Sequence, residues 1–348
     1  MLFTIVIPIY NAELYVKRCI SCILSQTYSD IELIAVDDGS TDCSGAILDA
    51  IAKKDNRLKV IHKQNEGVGK ARNEGIIKAK GRYIYFMDID DMLSDSFLDV
   101  SASIIYQYNE PDLLVFGFNV VGIDYKERVH ISNKYIDSRE ELTQCYTEDL
   151  FKVKYGSGFL WNKLFKRSII YNSNIKFGTF RIMEDELFII DYMKCINSAL
   201  LYDKAFYTYY INNAGNSRSK YIHNQLEIIT DVYYAFLDLR ISLCIKDDEF
   251  RNHLDNRTFM ALMNWIRQCV FHTDNPLSKQ KKKTQLKNLH NGYIWQSIYT
   301  HISTQRLTIE NKMLIHAIER ESLTEMWIIT KAYAIIRYAI KQVHTWLK

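Results

Sequence analysis

The first ninety residues alternate apolar runs with amphipathic segments, and that alternation leaves few folds open. FTIVIPI (Phe3 to Ile9) is an unbroken apolar run, as a strand buried on both faces requires. Glu13 to Gln26 follows, with Val16, Ile20, Ile23 and Leu24 on one helical stripe. IELIAV (Ile31 to Val36) reads as the second strand, and a helix over Cys43 to Lys54 is expected to open on Ser40 or Thr41 as N-cap. LKVIH (Leu58 to His62), a glycine-bearing loop, a helix over Val68 to Ala79 and RYIYFMD (Arg82 to Asp88) complete the series. Strands alternating with helices in this way predict a parallel sheet covered on its faces.

Further along, Ser94 to Tyr108 reads as helix and DLLVFGFNVVG (Asp112 to Gly122) as another buried strand. Ser138 to Leu201 is mixed. From Tyr221 onward only helical patterns occur, including Leu226 to Leu243, Glu249 to Phe271 and Met326 to Trp346. The expected organisation is an α/β domain over residues 1–220 and an all-helical region over 221–348. With 348 residues, 48% of them apolar, a sizeable core is available. No apolar stretch is long enough to span a bilayer, and the chain runs from Met1 straight into a strand, so neither a spanning helix nor a secretory signal is expected. The seven cysteines are scattered. Cys19 and Cys22 form a lone CxxC, which reads as buried helix thiols in a protein kept in a reducing compartment. These features predict a cytoplasmic protein.

In a parallel sheet the carboxyl ends of the strands share one edge, and ligands bind there. The second strand runs into DDGSTD (Asp37 to Asp42), and the fourth into DIDD, which holds Asp88, Asp90 and Asp91. Carboxylates this dense repel one another unless a cation joins them. Hard oxygen ligands favour Mg²⁺ or Mn²⁺, an ion such a site shares with the phosphates of a substrate. Between the clusters lies NEGVGKARNEG (Asn65 to Gly75). Gly67 and Gly69 permit close backbone approach there, and Lys70 and Arg72 bring positive charge to a helix start. This is not the dinucleotide fingerprint, which would follow the first strand, and it is not a GxxxxGK[ST] loop. A nicotinamide dehydrogenase is therefore excluded. A nucleotidyltransferase is disfavoured, since YNAELYVKR supplies no glycine-rich loop after strand one.

VIPIYN, VDDGSTD, the NxGxxxARNxG loop and FMDIDD together resemble family 2 glycosyltransferases of the GT-A fold over Met1 to Leu98. The likeness continues more weakly through WNKLFKR (Trp161 to Arg167) and RIMEDELF (Arg181 to Phe188). It implies a Rossmann-like mixed sheet with helices on both faces. Pro8 and Tyr10 would line the base pocket, Asp38 would contact the base, usually uracil, and Asp37, Asn65, Gly67 and Arg72 would join the nucleotide cradle. Asp88 and Asp90 would form the DxD element, with Asp90 and Asp91 the candidate metal ligands. It implies inversion at the anomeric carbon. Glu184 and Asp185 open an apolar helix. Spacing alone divides them evenly between dipole partners and a general base, and the family's ED motif favours Asp185 as base. Trp161 is either an acceptor-stacking face or a core residue. His62 reads as a strand-edge residue, and Ser217, Arg218 and Ser219 as a segment that closes on the donor phosphates.

The expected activity is transfer of one sugar from a nucleotide-sugar donor to a glycan or lipid-linked acceptor in cell-surface polysaccharide synthesis. The QxxRW element and membrane spans of processive synthases are absent. The rival of another class is a sugar-nucleotide-binding protein without turnover. Net charge is +3, but residues 275–348 carry 12 basic against 4 acidic residues. On the last helix Ile328, Ile335, Ile336, Ala339, Val343 and Trp346 fall on one arc, opposite Arg337, Lys341, His344 and Lys348. That pattern predicts docking on an anionic membrane surface, at the inner face of the cytoplasmic membrane; nucleic acid is not an expected partner.

Overall fold

Burial on both faces makes the first apolar run a central strand. In a computed structural model describing residues 1–152, 158–211, 221–302 and 307–346, with side chains as far as residue 336, Phe3–Ile9 forms β1. It is flanked in parallel by β2 (Ile31–Asp37) and β4 (Tyr83–Phe86), and β3 (Leu58–His62) extends the sheet beyond β2. The connecting helices are α1 (Glu13–Leu24), α2 (Ser44–Ala52) and α3 (Val68–Lys78). All seven residues of β2 are buried. Each large aliphatic side chain enclosed in this way stabilises the fold by about 1.5–3 kcal/mol. Helix α1 turns Val16, Cys19, Ile20, Cys22 and Ile23 inward, so the CxxC thiols are free and buried, as expected.

Next come β5 (Met92–Leu93), α4 (Phe97–Gln107), β6 (Leu113–Val121), β7 (Lys126–Val129), β8 (Lys134–Ile136) and α5 (Arg139–Cys145). A π-helical turn (Tyr146–Phe151), β9 (Lys163–Lys166), α6 (Arg167–Asn172), α7 (Glu184–Met193) and β10 (Ala199–Tyr210) follow. The strand order is β3-β2-β1-β4-β9-β6-β10-β5, with β7 on β6 and β8 on β10. Strand β9 runs antiparallel between β4 and β6, which makes the sheet mixed. The N-terminal half is parallel, so the ends of β1, β2 and β4 lie on one edge.

Helix α2 does not use Ser40 or Thr41 as its cap. Its N-cap is Cys43, without a side-chain bond. Ser40 Oγ instead accepts from the Asn11 amide, and the Thr41 amide donates to Asn11 Oδ1 at 2.7 Å. The loop after β1 thus claims both residues.

The rest of the chain is helical among the described residues: α8 (Gln225–Ser242), α9 (Asp248–Trp265) with a π turn (Ile266–Val270), α10 (Lys279–Asn291), α11 (Tyr293–His301), α12 (Ile309–Glu319) and α13 (Leu323–Trp346). The chain divides into two compact units, Met1–Ala214 with Ala235–Lys246, and Gly215–Tyr234 with Asp247–Lys348. Within the second unit the Asp255 carboxylate is buried and accepts from Arg251 and Tyr233. No described helix is long and apolar enough to cross a membrane. Ser217, Arg218 and Ser219, and the α13 side chains from Arg337 onward, lie outside the described residues.

Candidate functional site

The parallel register brings Ile9 level with Asp37 and Asp37 level with His62, so the loops after β1, β2 and β3 meet at the carboxyl edge. Asp37 is buried. Its Oδ1 accepts from the Ser40 amide and its Oδ2 faces His62 Nδ1 at 2.9 Å, while His62 Nε2 faces Asp49 at 3.1 Å. Although burial opposes it, hydrogen bonds from Ser40 and His62 hold the Asp37 carboxyl below its usual range. Bonds to Asp37 and Asp49 raise His62. The expected edge histidine is thus the link between β2, α2 and β3.

Asp38 organises the glycine loop. Its Oδ1 accepts from Lys63 Nζ at 2.9 Å and from the Glu66 amide at 3.0 Å, and its Oδ2 from the Gly67 amide at 2.8 Å. Gly67 has φ +99°, backbone that side-chain-bearing residues avoid. At Gly69 a Cβ would stand 2.8 Å from the Gly178 carbonyl, so the start of α3 meets the 177–178 segment with no room to spare. Asn65 is exposed on this loop. Tyr10, 52% exposed, stands just beyond β1, and Pro8 is half-buried within it.

The centre of the site is Arg72. Its guanidinium is buried, with Nη1 donating to Glu184 Oε1 at 3.0 Å and Nη2 to Asp88 Oδ1 at 3.2 Å. It also lies over the Phe177 ring, 5.4 Å from the centroid. Asn73 fixes that segment by exchanging bonds of 2.9 Å with the Phe177 amide and carbonyl. Three distant pieces of chain thereby converge: the ARN helix start, the DIDD turn and the head of α7. Arg72 Nε is buried with no partner among the described residues.

The two acids of the ED pair differ. Glu184 is buried in the ion pair with Arg72. Asp185 is half-buried, and burial together with the neighbouring Glu184 charge pushes its carboxyl up to about 7, against the opposing pull of Arg72. Lys163, a residue that composition and spacing did not single out, interacts electrostatically with Asp185. It is buried, donates to the Phe159 carbonyl at 2.6 Å and to Asn162 Oδ1 at 2.8 Å, and is pushed down to about 7 by burial despite Asp185 and Glu186. A lysine inside the short β9 run KLFK was the available signal.

In the DIDD turn the three acids separate. Asp88 is 37% exposed beside Arg72, and Asp90 is half-buried, its carbonyl accepting from Arg18 at 2.6 Å. Asp91, expected with Asp90 as a ligand, is buried with both oxygens engaged, one by Tyr207 OH at 2.6 Å and one by the Tyr210 amide at 2.8 Å. Among the described residues no cluster of three metal-ligating side chains forms. Of the three, Asp88 and Asp90 remain the candidates for a cation, being only partly buried where Asp91 is enclosed. Two carboxylates fit an ion that takes its remaining oxygens from substrate phosphates and water.

Trp161 is 4% exposed and belongs to the core. It stacks on Tyr207 at 4.4 Å and Phe159 at 4.5 Å and meets Phe118 edge-on. Of the two readings open for it, packing is the one its surroundings support.

The glycosyl transferase family 2 model matches residues 4–189, more than half the chain, including the acids, Arg72 and Lys163 of the site just described. EpsH of Bacillus subtilis, a putative glycosyltransferase, is 35% identical over 190 residues, covering 53% of this chain and 54% of EpsH. EpsJ of the same organism is 33% identical, covering 60% of each chain. The chain thus spans little more than half the length of these relatives. Among solved structures, S. aureus TarS in complex with UDP-GlcNAc superposes with a TM-score of 0.64 at 19% identity, covering 96% of this chain and 92% of that one. That likeness shows the shared GT-A fold, with its mixed sheet followed by a helical region. The carboxylate-lined edge, the Arg72 joint and the family match together make the chain a member of glycosyltransferase family 2.

Proposed function

We propose that this glycosyltransferase moves one sugar from a nucleoside diphosphate sugar, with UDP as the expected carrier, to a hydroxyl of a glycan or lipid-linked acceptor, with inversion. The observation that carries this reading is the division of labour between adjacent acids. Glu184 is locked to Arg72, whereas Asp185 makes no ion pair among the described residues and is shifted toward neutrality. A base is most effective when its pKa lies near the working pH. The acceptor oxygen attacks the anomeric carbon from the face opposite the diphosphate, the bond to the diphosphate oxygen breaks, and the acceptor proton passes to Asp185. Pro8 and Tyr10 border the base, and the Asp38-organised loop carries Asn65 and Gly67 to the nucleotide. Asp88 and Asp90 would hold Mg²⁺ or Mn²⁺, which when bound supplies positive charge to the departing diphosphate. Arg72 holds Asp88 in place for that role.

TarS, whose fold this chain shares, holds UDP-GlcNAc, which supports a sugar nucleotide as donor. The proposed product is surface polysaccharide, and the proposed place of action is the cytoplasmic side. Incubation with UDP-, GDP- and dTDP-sugars in the presence of Mn²⁺ tests the reading. One donor should raise the melting temperature, by an amount equivalent to about 2.7 kcal/mol at 100 times its Kd, and should slowly release free nucleoside diphosphate. Binding with no release under any acceptor condition would make the chain a sugar-nucleotide-binding protein instead.

A further inference from the structure

The second unit carries a surface to which none of the residues assigned to the transfer reaction belongs. On α13, Trp327, Ile328, Ile335 and Ile336 are 49%, 53%, 69% and 56% exposed. At 100° per residue they share one half of the helix with Lys331 and Ala332. The other half, with Leu323, Met326 and Thr330, is buried. An apolar face of one tryptophan and three isoleucines is therefore left exposed among the described residues of this unit.

The edge of that face opens into a slot of about 290 Å³ lined by Phe271, Leu323, Thr324, Trp327, Lys279 and Lys282. Its floor is apolar, and the two lysines come from α10, whose sequence KQKKKTQLKNLHN contains no acid. Lys283 and Lys287 approach Glu321 at 3.8 and 3.5 Å. Lys279, Lys281, Lys282 and Lys331 pair with no carboxylate among the described residues. Unneutralised cations beside an exposed apolar face call for an occupant that is anionic in one layer and apolar in the next.

We propose that this α10–α13 face docks on an anionic phospholipid surface, with Trp327 and the isoleucines entering the acyl boundary and Lys279 and Lys282 meeting headgroup phosphates. Lysine stems lie along apolar surface while their ammonium groups stay at the polar layer, and tryptophan is suited to the same boundary. A protein partner of ordinary surface composition would leave these ammonium groups without counter-charge. The docking deepens the reading of a lipid-linked acceptor and rests on it for its purpose, but binding is measured without any transfer.

Flotation of the full chain with phosphatidylcholine vesicles, with or without phosphatidylglycerol, decides it. The protein should float only with phosphatidylglycerol present, and less at high salt. At ~1 kcal/mol per lysine near the surface, Lys279→Gln with Lys282→Gln should weaken partitioning about 30-fold. The Lys279→Arg, Lys282→Arg pair keeps the charge and should retain binding, which separates charge from folding. Trp327→Ser should also reduce flotation at an unchanged melting temperature. Wild-type protein that stays unbound, a glutamine pair that floats like wild type, displacement by inorganic phosphate alone, or a dimer in solution that this face closes would each overturn the proposal. Nucleotide release from a soluble donor without vesicles reads the catalytic proposal separately.

Discussion

Replacing Arg72 with methionine removes the group on which three segments of the site converge. The guanidinium is buried, 3.0 Å from Glu184 and 3.2 Å from Asp88. Without it the buried Glu184 charge is left uncompensated, and breaking a buried pair from one side costs about 3–5 kcal/mol. Asp88 is more than a third exposed, so water screens that half of the network and it adds little. The expectation is therefore the lower end, about 3 kcal/mol, equivalent to a fall of about 6–12 °C in Tm for a unit of this size. Combining Arg72→Met with Glu184→Gln should cost less than the sum of the two single changes, by about 1 kcal/mol or more, because no buried charge is then stranded. Arg72 also holds the Asp185 carboxyl down, so the acid limb of the pH–rate profile should move to higher pH in Arg72→Met. Calorimetry of the four variants and the pH profile of turnover provide the assay. Costs that add to within about 0.5 kcal/mol, with an unmoved acid limb, would refute the reasoning.

Tyr207→Phe removes the hydroxyl donor to buried Asp91 and should destabilise by about 1–3 kcal/mol in a denaturant melt; a change below that range would mean that water replaces the bond. For His62, whose pKa is raised above 6.5, the stabilisation is fully present below pH 6.5 and fades as pH rises through the raised value. For Asp37, lowered below 3.8, it is present above pH 3.8 and lost as pH falls through the lowered value. The difference in Tm between wild type and His62→Gln should thus be greatest between about pH 4 and 6.5 and shrink above; a pH-independent difference would contradict the link. Asp90→Ala should abolish transfer with the melting temperature unchanged, since it removes a candidate ligand and no core volume, and near wild-type turnover with Mn²⁺ present would misassign the ligand.

The parallel half of the sheet was legible because strands buried on both faces, such as β1 and β4, leave nearly unbroken apolar runs. Strand β3, partly exposed, also occupies the residues LKVIH that its pattern marked. Strand β9 was not legible. Its four residues, KLFK, mix charge and apolar character, and its place between β4 and β6 depends on antiparallel pairing with strands remote in sequence. The acidic clusters announced the site, but spacing could not show that Arg72 reaches both Asp88 and Glu184, 16 and 112 residues away. Nor could it separate Asp91 from its neighbours, because the partners that take its oxygens sit on β10. For Trp161 the sequence divides evenly, and the rings of Phe159, Tyr207 and Tyr209 packed on it decide for the core. In each case the deciding contact is long-range.

The most direct measurement is single-turnover transfer by Asp185→Asn with the donor that binds. Asparagine nearly preserves shape but cannot take the acceptor proton. Turnover should fall by about 100-fold or more while donor affinity and melting temperature change little. Turnover near the wild-type value at saturating donor, or a loss confined to donor affinity, would contradict Asp185 as the base.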